Sequence, residues 1–167
     1  MSVEDYHHLV DDGVIPETRR IELIEGVLTR VCAHSPEHVY TLMVLNRIFA
    51  RSLGDEWMVF PGGPLTLARS EPEPDLVIVR AEVAQAARRH PTTASLVIEI
   101  AKTSLRLDRR LAPLYAEAGV PDYWIVDCEH HQVEVYRGES RTIAMPPDLL
   151  VPIEVPGVVV PVGELFR

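Results

Sequence analysis

Along the chain, apolar positions recur at two different periods, and the alternation between them outlines the fold. In SPEHVYTLMVLNRIFARSLG, Val39, Leu42, Met43, Leu45, Ile48 and Phe49 fall three or four residues apart, the stripe of an amphipathic helix. Ser35 suits its N-cap, Pro36 its first turn and Gly54 its stop. Upstream, Ser2 can cap a short helix through VEDYHHLVDDG that Gly13 ends. RIELIEGVLTRVCA then predicts two antiparallel strands turning at Glu25-Gly26.

Beyond the long helix the period shortens. WMVF and PLTLA flank Pro61-Gly62-Gly63 and predict a hairpin or strand pair. The acidic, Pro-rich SEPEP leads into a strand from Asp75 to Val79, and AEVAQAARR predicts a short Ala-rich helix. SLVIEIA is apolar throughout except for Glu99, the pattern of a central strand covered on both faces. LRLDRRLAPLYAEAG predicts a helix stopped by Gly119, with Pro113 either starting a turn or kinking it. DYWIVD and QVEVYRG form a hairpin through Cys128 to His131, and the tail ends in short strands spaced by Pro and Gly. This order predicts an α/β (mixed α+β) domain over residues 1–167, with a central mixed sheet flanked by helices and an N-terminal β-hairpin.

Composition narrows the class. With 47% hydrophobic and 25% charged residues the chain can bury a real core, which excludes disorder as its main state. LVIEI and VPGVVVPV are too short or too interrupted to span a bilayer, and no charged-then-apolar leader opens the chain, so a soluble cytoplasmic protein is expected. Cys32 and Cys128 lack CxxC spacing and are expected to be reduced thiols. A net charge of −9 argues against a generally basic surface that clings to nucleic acid, but it leaves room for a local basic groove.

The candidate chemistry begins with two carboxylates on consecutive apolar strands. Asp75 starts one strand and Glu99 lies near the end of the next. An isolated buried carboxylate costs several kcal/mol or takes up a proton. A shared divalent cation removes that cost, and Asp and Glu oxygens suit Mg²⁺ or Mn²⁺. The alternative for Glu99 is a salt bridge to Arg106, Arg109 or Arg110. Of the 16 basic residues 15 are arginine, and the single lysine, Lys102, lies three residues after Glu99. Lysine, unlike arginine, can orient or deprotonate a water, although a residue leaving a strand is also commonly an exposed lysine. Glu22 in RIELIEG and His38 in SPEH are further candidates to close the site. His7, His8, His34, His90, His130 and His131 show no metal-ligand spacing, and no HExxH, GxSxG, P-loop or dinucleotide fingerprint occurs.

RIELIEG, SPEH, EPDLVIV, LVIEI, DRRLAPLYAEAGVPDYWIVD and VEVYR stand in an order and spacing that resembles the Uma-two family of restriction-endonuclease-like proteins, from about Tyr6 to Phe166. The resemblance implies a fold similar to the PD-(D/E)XK nucleases. It implies metal-binding roles for Asp75 of Pro74-Asp75 and for Glu99, with Glu22 at the acidic position of the early hairpin. It also exposes a departure. Ala101 stands where the wider superfamily carries lysine, and Leu111 where the family's helix usually does. On this reading Lys102 is a relocated catalytic lysine, and Arg110 can replace only the charge.

The expected function is therefore an Mg²⁺- or Mn²⁺-dependent endonuclease that hydrolyses nucleic acid, DNA in the first instance. By analogy with enzymes that cut both strands, it is expected to work as a homodimer. Two alternatives stand beside it. One is a catalytically impaired oligomeric or partner-binding module that keeps the nuclease fold, and the other is a small-molecule metal hydrolase.

Overall fold

A computed structural model describes residues 1–16, 20–31, 35–87 and 89–166, so the thiol of Cys32 and the ring of His34 lie outside the described residues. Helix α1 (Val3–Asp11) opens the chain, capped reciprocally by Ser2 and Asp5. Strands β1 (Ile21–Ile24) and β2 (Val27–Arg30) pair antiparallel. Glu25 and Gly26 both carry positive φ at their turn, and at Gly26 a Cβ would lie 2.9 Å from the Met1 carbonyl, so glycine is required there. Helix α2 (Pro36–Ser52) follows, with the Ser35 hydroxyl accepting from the His38 N–H as its N-cap.

The centre is a six-stranded sheet ordered β3-β4-β5-β6-β7-β8. It comprises β3 (Trp57–Pro61), β4 (Leu76–Arg80), β5 (Leu96–Ala101), β6 (Tyr123–Asp127), β7 (Gln132–Arg137) and β8 (Ser140–Ala144). Only β5 and β6 run parallel, and helix α4 (Leu105–Glu117) connects them; the remaining pairs are antiparallel. Short helix α3 (Ala81–Ala86) links β4 to β5. The tail adds the pair β9 (Leu149–Leu150) and β10 (Val160–Pro161), then a 3₁₀ turn at Val162–Leu165.

Strand alternation divides the core. Leu96, Ile98 and Ile100 of β5 face α2 and the tail, where they pack with Phe49, Trp124 and Val162. Val97 and Ala101 face the other way and pack with Leu111 and Tyr115 of α4. Glu99 shares the parity of this second set. β5 is thus covered on both faces, as its apolar run predicts.

Two expectations are corrected. PLTLA is not a strand: β3 pairs with β4 instead. Leu65 and Leu67 are buried in alternation, but their N–H groups bond to the Pro72 and Ser70 carbonyls and that of Thr66 to the Pro91 carbonyl, so the segment is tied down without a ladder. The helix begun by AEVAQA stops at Ala86, because Ala87 is extended. Pro113, by contrast, neither starts a turn nor ends α4. It sits on the exposed side of the helix, where the carbonyl left without a partner can turn to water.

Candidate active site

The site lies where the start of β4 meets the end of β5. Asp75 precedes β4, and its Oδ2 accepts from the Ile100 N–H at 2.8 Å. Its own N–H reaches Glu99 Oε2 at 3.3 Å. The two carboxylates are therefore tied across the strands, Asp75 to the Ile100 N–H and Glu99 to the Asp75 N–H, and line one cleft of about 590 Å³. The other Glu99 oxygen accepts from the buried Tyr115 hydroxyl at 3.4 Å, which ties the site to α4.

His38 enters from the first turn of α2, held there by the Ser35 cap. Its Nδ1 lies 3.0 Å from the Ile100 carbonyl, which can only accept, so Nδ1 carries the proton. The opposite ring nitrogen, Nε2, lies 3.0 Å from Asp75 Oδ1. Ile100 thus braces both groups, donating to Asp75 and accepting from His38. Glu22, nearly buried on β1, lines the same cleft, as does Asp108 in the first turn of α4. The Ser104 hydroxyl donates to Asp108 Oδ2 at 2.7 Å.

These carboxylates repel one another in a poorly hydrated place. Burial, then the neighbouring Glu73, pushes the Glu22 carboxyl up to about 7. Burial also pushes Asp108 up to about 7, against the Ser104 hydrogen bond, and it holds Glu99 well above the ordinary carboxylate range with Asp75 as the next contributor. Glu134 is fully buried, yet although burial alone would raise it, hydrogen bonds from Arg109, Tyr136 and Arg141 hold it below its ordinary value. Arg109 is therefore committed to Glu134 and does not neutralise Glu99. Arg106 and Arg110 are exposed and line the cleft. The salt-bridge alternative for Glu99 is not what the structure contains.

Lys102 stands at the lip. β5 ends at Ala101, which frees Lys102 from strand alternation, and its Nζ lies 3.6 Å from Glu37 on α2. Its side chain is 42% exposed. Ala101 and Leu111, the positions of the absent lysines, are 1% and 3% exposed and belong to the core under α4. The cleft also gathers residues that sequence reasoning missed. Asp108, Glu73 and Tyr115 complete the acidic floor and its support, while Arg20 and Arg30 join Lys102, Arg106 and Arg110 around it. An acidic floor thus lies under a local basic lip in a chain whose net charge is −9.

Residues 3–163 match the Uma2 family, described as "Putative restriction endonuclease". The chain belongs to the Uma2 family. No curated protein matches it. Among solved structures it is similar to a "putative nuclease belonging to DUF820" from Anabaena variabilis, at 15% identity and a TM-score of 0.72, over 87% of this chain and 88% of that one. At that identity the likeness concerns the fold: both Uma2 membership and this neighbour bear out the restriction-endonuclease-like architecture read from the sequence. Among the described residues, no helix is long and apolar enough to cross a membrane.

Proposed function

We propose that this Uma2 protein is a divalent-metal-dependent nuclease whose centre is built on Asp75 and Glu99. The observation that carries the reading is four carboxylates, Glu22, Asp75, Glu99 and Asp108, crowded into one cleft whose lip carries Lys102, Arg106 and Arg110. An oxygen-rich donor set in which protons must otherwise offset the crowding fits a hard cation such as Mg²⁺ or Mn²⁺. Asp75 and Glu99 would hold the ion, with Glu22 and Asp108 as the nearest further carboxylates in the cleft. When bound, it supplies Lewis acidity to the phosphoryl oxygens and to water.

The chain's own residues do the rest. The Ile100 N–H fixes one Asp75 oxygen and the Tyr115 hydroxyl one Glu99 oxygen, so the carboxylates are oriented before substrate arrives. His38 keeps its Nδ1 proton on the Ile100 carbonyl and turns Nε2 toward Asp75. Arg20, Arg30, Arg106 and Arg110 meet the phosphates on either side of the scissile one, and Lys102 orients the attacking water and offsets charge as it develops on phosphorus. Water oxygen bonds to phosphorus, the bond to one ribose oxygen breaks, and that oxygen leaves with a proton. A homodimer would place two such clefts on opposite strands of a duplex.

The buried Ala101 and Leu111 favour a second reading, a module that binds but cuts poorly. Incubation of purified protein with supercoiled plasmid and with single-stranded oligonucleotide, with and without Mn²⁺, separates the two. Metal-dependent cleavage supports the nuclease, and metal-dependent binding without cleavage supports the module. Lys102→Met is expected to slow cleavage about a hundredfold, the low end of what a positioned acid–base group contributes. Its melting temperature should stay within ~4 °C of the parent, since an exposed ion pair is worth at most about 1 kcal/mol. Unchanged cleavage in Lys102→Met, together with a gain in Leu111→Lys, would assign Lys102 to the surface and the missing function to α4.

A further inference from the structure

The carboxylate cleft does not use every cluster of ligating side chains in the molecule. His7 on α1, Glu71 beside β1 and His90 ahead of β5 come from three distant segments whose spacing carries no ligand pattern, yet their side chains converge. We propose that His7, Glu71 and His90 form a second metal site, for Zn²⁺ or a similar late first-row divalent ion, independent of the Asp75–Glu99 centre.

One ligand atom from each residue lies within 4.8 Å of the other two. His7 Nε2 is 3.2 Å from Glu71 Oε1, and His90 Nδ1 touches the same oxygen. Ligands bound at about 2.1 Å around a tetrahedral ion stand roughly 3.4 Å apart, so the cluster needs little movement to close on one. Two imidazoles with one carboxylate suit zinc better than magnesium, which selects oxygen.

Burial supplies the independent argument. Glu71 is 2% exposed, and among the described residues neither lysine nor arginine pairs with it. Its Oε2 has no hydrogen-bond partner there, and the 3.2 Å approach of His7 Nε2 to Oε1 is not an aligned hydrogen bond, although both atoms are buried. Such atoms are costly unless something else satisfies them. Two imidazolium rings against one carboxylate would account for Oε1 but not for Oε2. The surroundings are those of a built site. The Thr66 hydroxyl donates to Oε1 at 3.1 Å, the supporting contact that metal-bound carboxylates carry, and the Glu71 N–H is fixed on the Leu23 carbonyl at 2.7 Å.

His7 and His90 open onto a cleft of about 560 Å³, none of whose lining residues lines the carboxylate cleft. A three-ligand zinc would therefore keep a position for water, and it would pin α1 to the body of the protein. α1 is otherwise held by a small apolar cluster around Tyr6 and by the exposed pair of Asp11 with Arg89.

Calorimetric titration of the metal-free protein with ZnCl₂ tests this, using wild type, the Asp75→Asn/Glu99→Gln double variant, and His7→Gln and His90→Gln each added to that double variant. The double variant is expected to retain one zinc equivalent at near wild-type affinity, while each histidine variant loses at least tenfold. Cobalt substitution of the double variant gives a readout that does not depend on how well the histidine variants fold. Intense visible d–d absorption indicates the expected four-coordinate site. Zinc binding that disappears in the double variant, or that persists unchanged in both histidine variants, overturns the proposal, as does a weak six-coordinate cobalt spectrum.

Discussion

Glu99→Gln is expected to reduce metal-dependent phosphodiester cleavage by about 10³-fold or more, with the fold intact. Metal-assisted charge stabilisation is worth several kcal/mol, and each ~1.4 kcal/mol is a factor of ten. The variant keeps an oxygen for the Tyr115 hydroxyl or the Asp75 N–H and removes a carboxyl that burial and Asp75 already hold well above its ordinary range. Its metal-free stability should therefore equal or exceed that of the parent. Asp75→Asn should behave alike, since the amide oxygen can accept from the Ile100 N–H. Melting curves with and without Mn²⁺ provide the control: the parent gains stability from the ion and the variants do not. A variant that cuts normally, or that shows the parent's full metal-induced shift, would remove that residue from the metal site.

Between about pH 5 and pH 8 the metal-free protein is expected to lose stability as pH rises. Glu22 moves from an ordinary 4.5 to about 7, and Asp108 from 3.8 to about 7, in the folded chain. Over that interval the native state holds protons that the unfolded chain has released, so raising pH favours unfolding until both groups have ionised. Glu134, whose value is lowered, acts with the opposite sign, but its window lies below 4.5. At about 1.4 kcal/mol per unit the effect is a few kcal/mol, less than the sum of the two because they share one field. The melting temperature should be roughly 5 to 10 °C lower at pH 8 than at pH 5.5. Glu22→Gln and Asp108→Asn should flatten the profile, and added Mn²⁺ should offset the loss at pH 8. A melting temperature that is level or rises across this range would mean that the cleft carboxylates are not crowded as described.

Much of the fold was legible because local signals and burial agreed. The cap of α2, the two-sided apolar run of β5 and the Glu25-Gly26 turn lie where their patterns place them, whereas the buried face of α2 is rotated from the expected stripe: Val39 and Met43 are exposed, and His38, Thr41 and Val44 are buried beside Leu45 and Phe49. PLTLA misled for a definite reason: Leu65 and Leu67 alternate as strand residues do, but the carbonyls that bind the segment's N–H groups belong to the two following loops. Nothing in a single segment carries that information.

The site was legible to a similar depth. Glu99 was conspicuous as a charge inside an apolar strand, and Asp75 as a charge at a strand's edge. Asp108 was not, because an acidic residue in the first turn of a helix is ordinary, and only the approach of α4 to β5 gives it carboxylate neighbours. The basic lip was hidden in the same way. Arg20 and Arg30 flank the early hairpin, far in sequence from Arg106 and Arg110, and they share a cleft only through the tertiary fold. His7 and His90 carry no ligand spacing because such spacing is informative within one element, whereas these two come from different elements and meet at a third.

The most direct test of the central claim is anomalous diffraction from crystals soaked in Mn²⁺. A peak within bonding distance of both Asp75 and Glu99 carboxylates is the predicted result. Manganese bound at His7, Glu71 and His90 with none between Asp75 and Glu99, at concentrations that saturate any effect on melting, would contradict it.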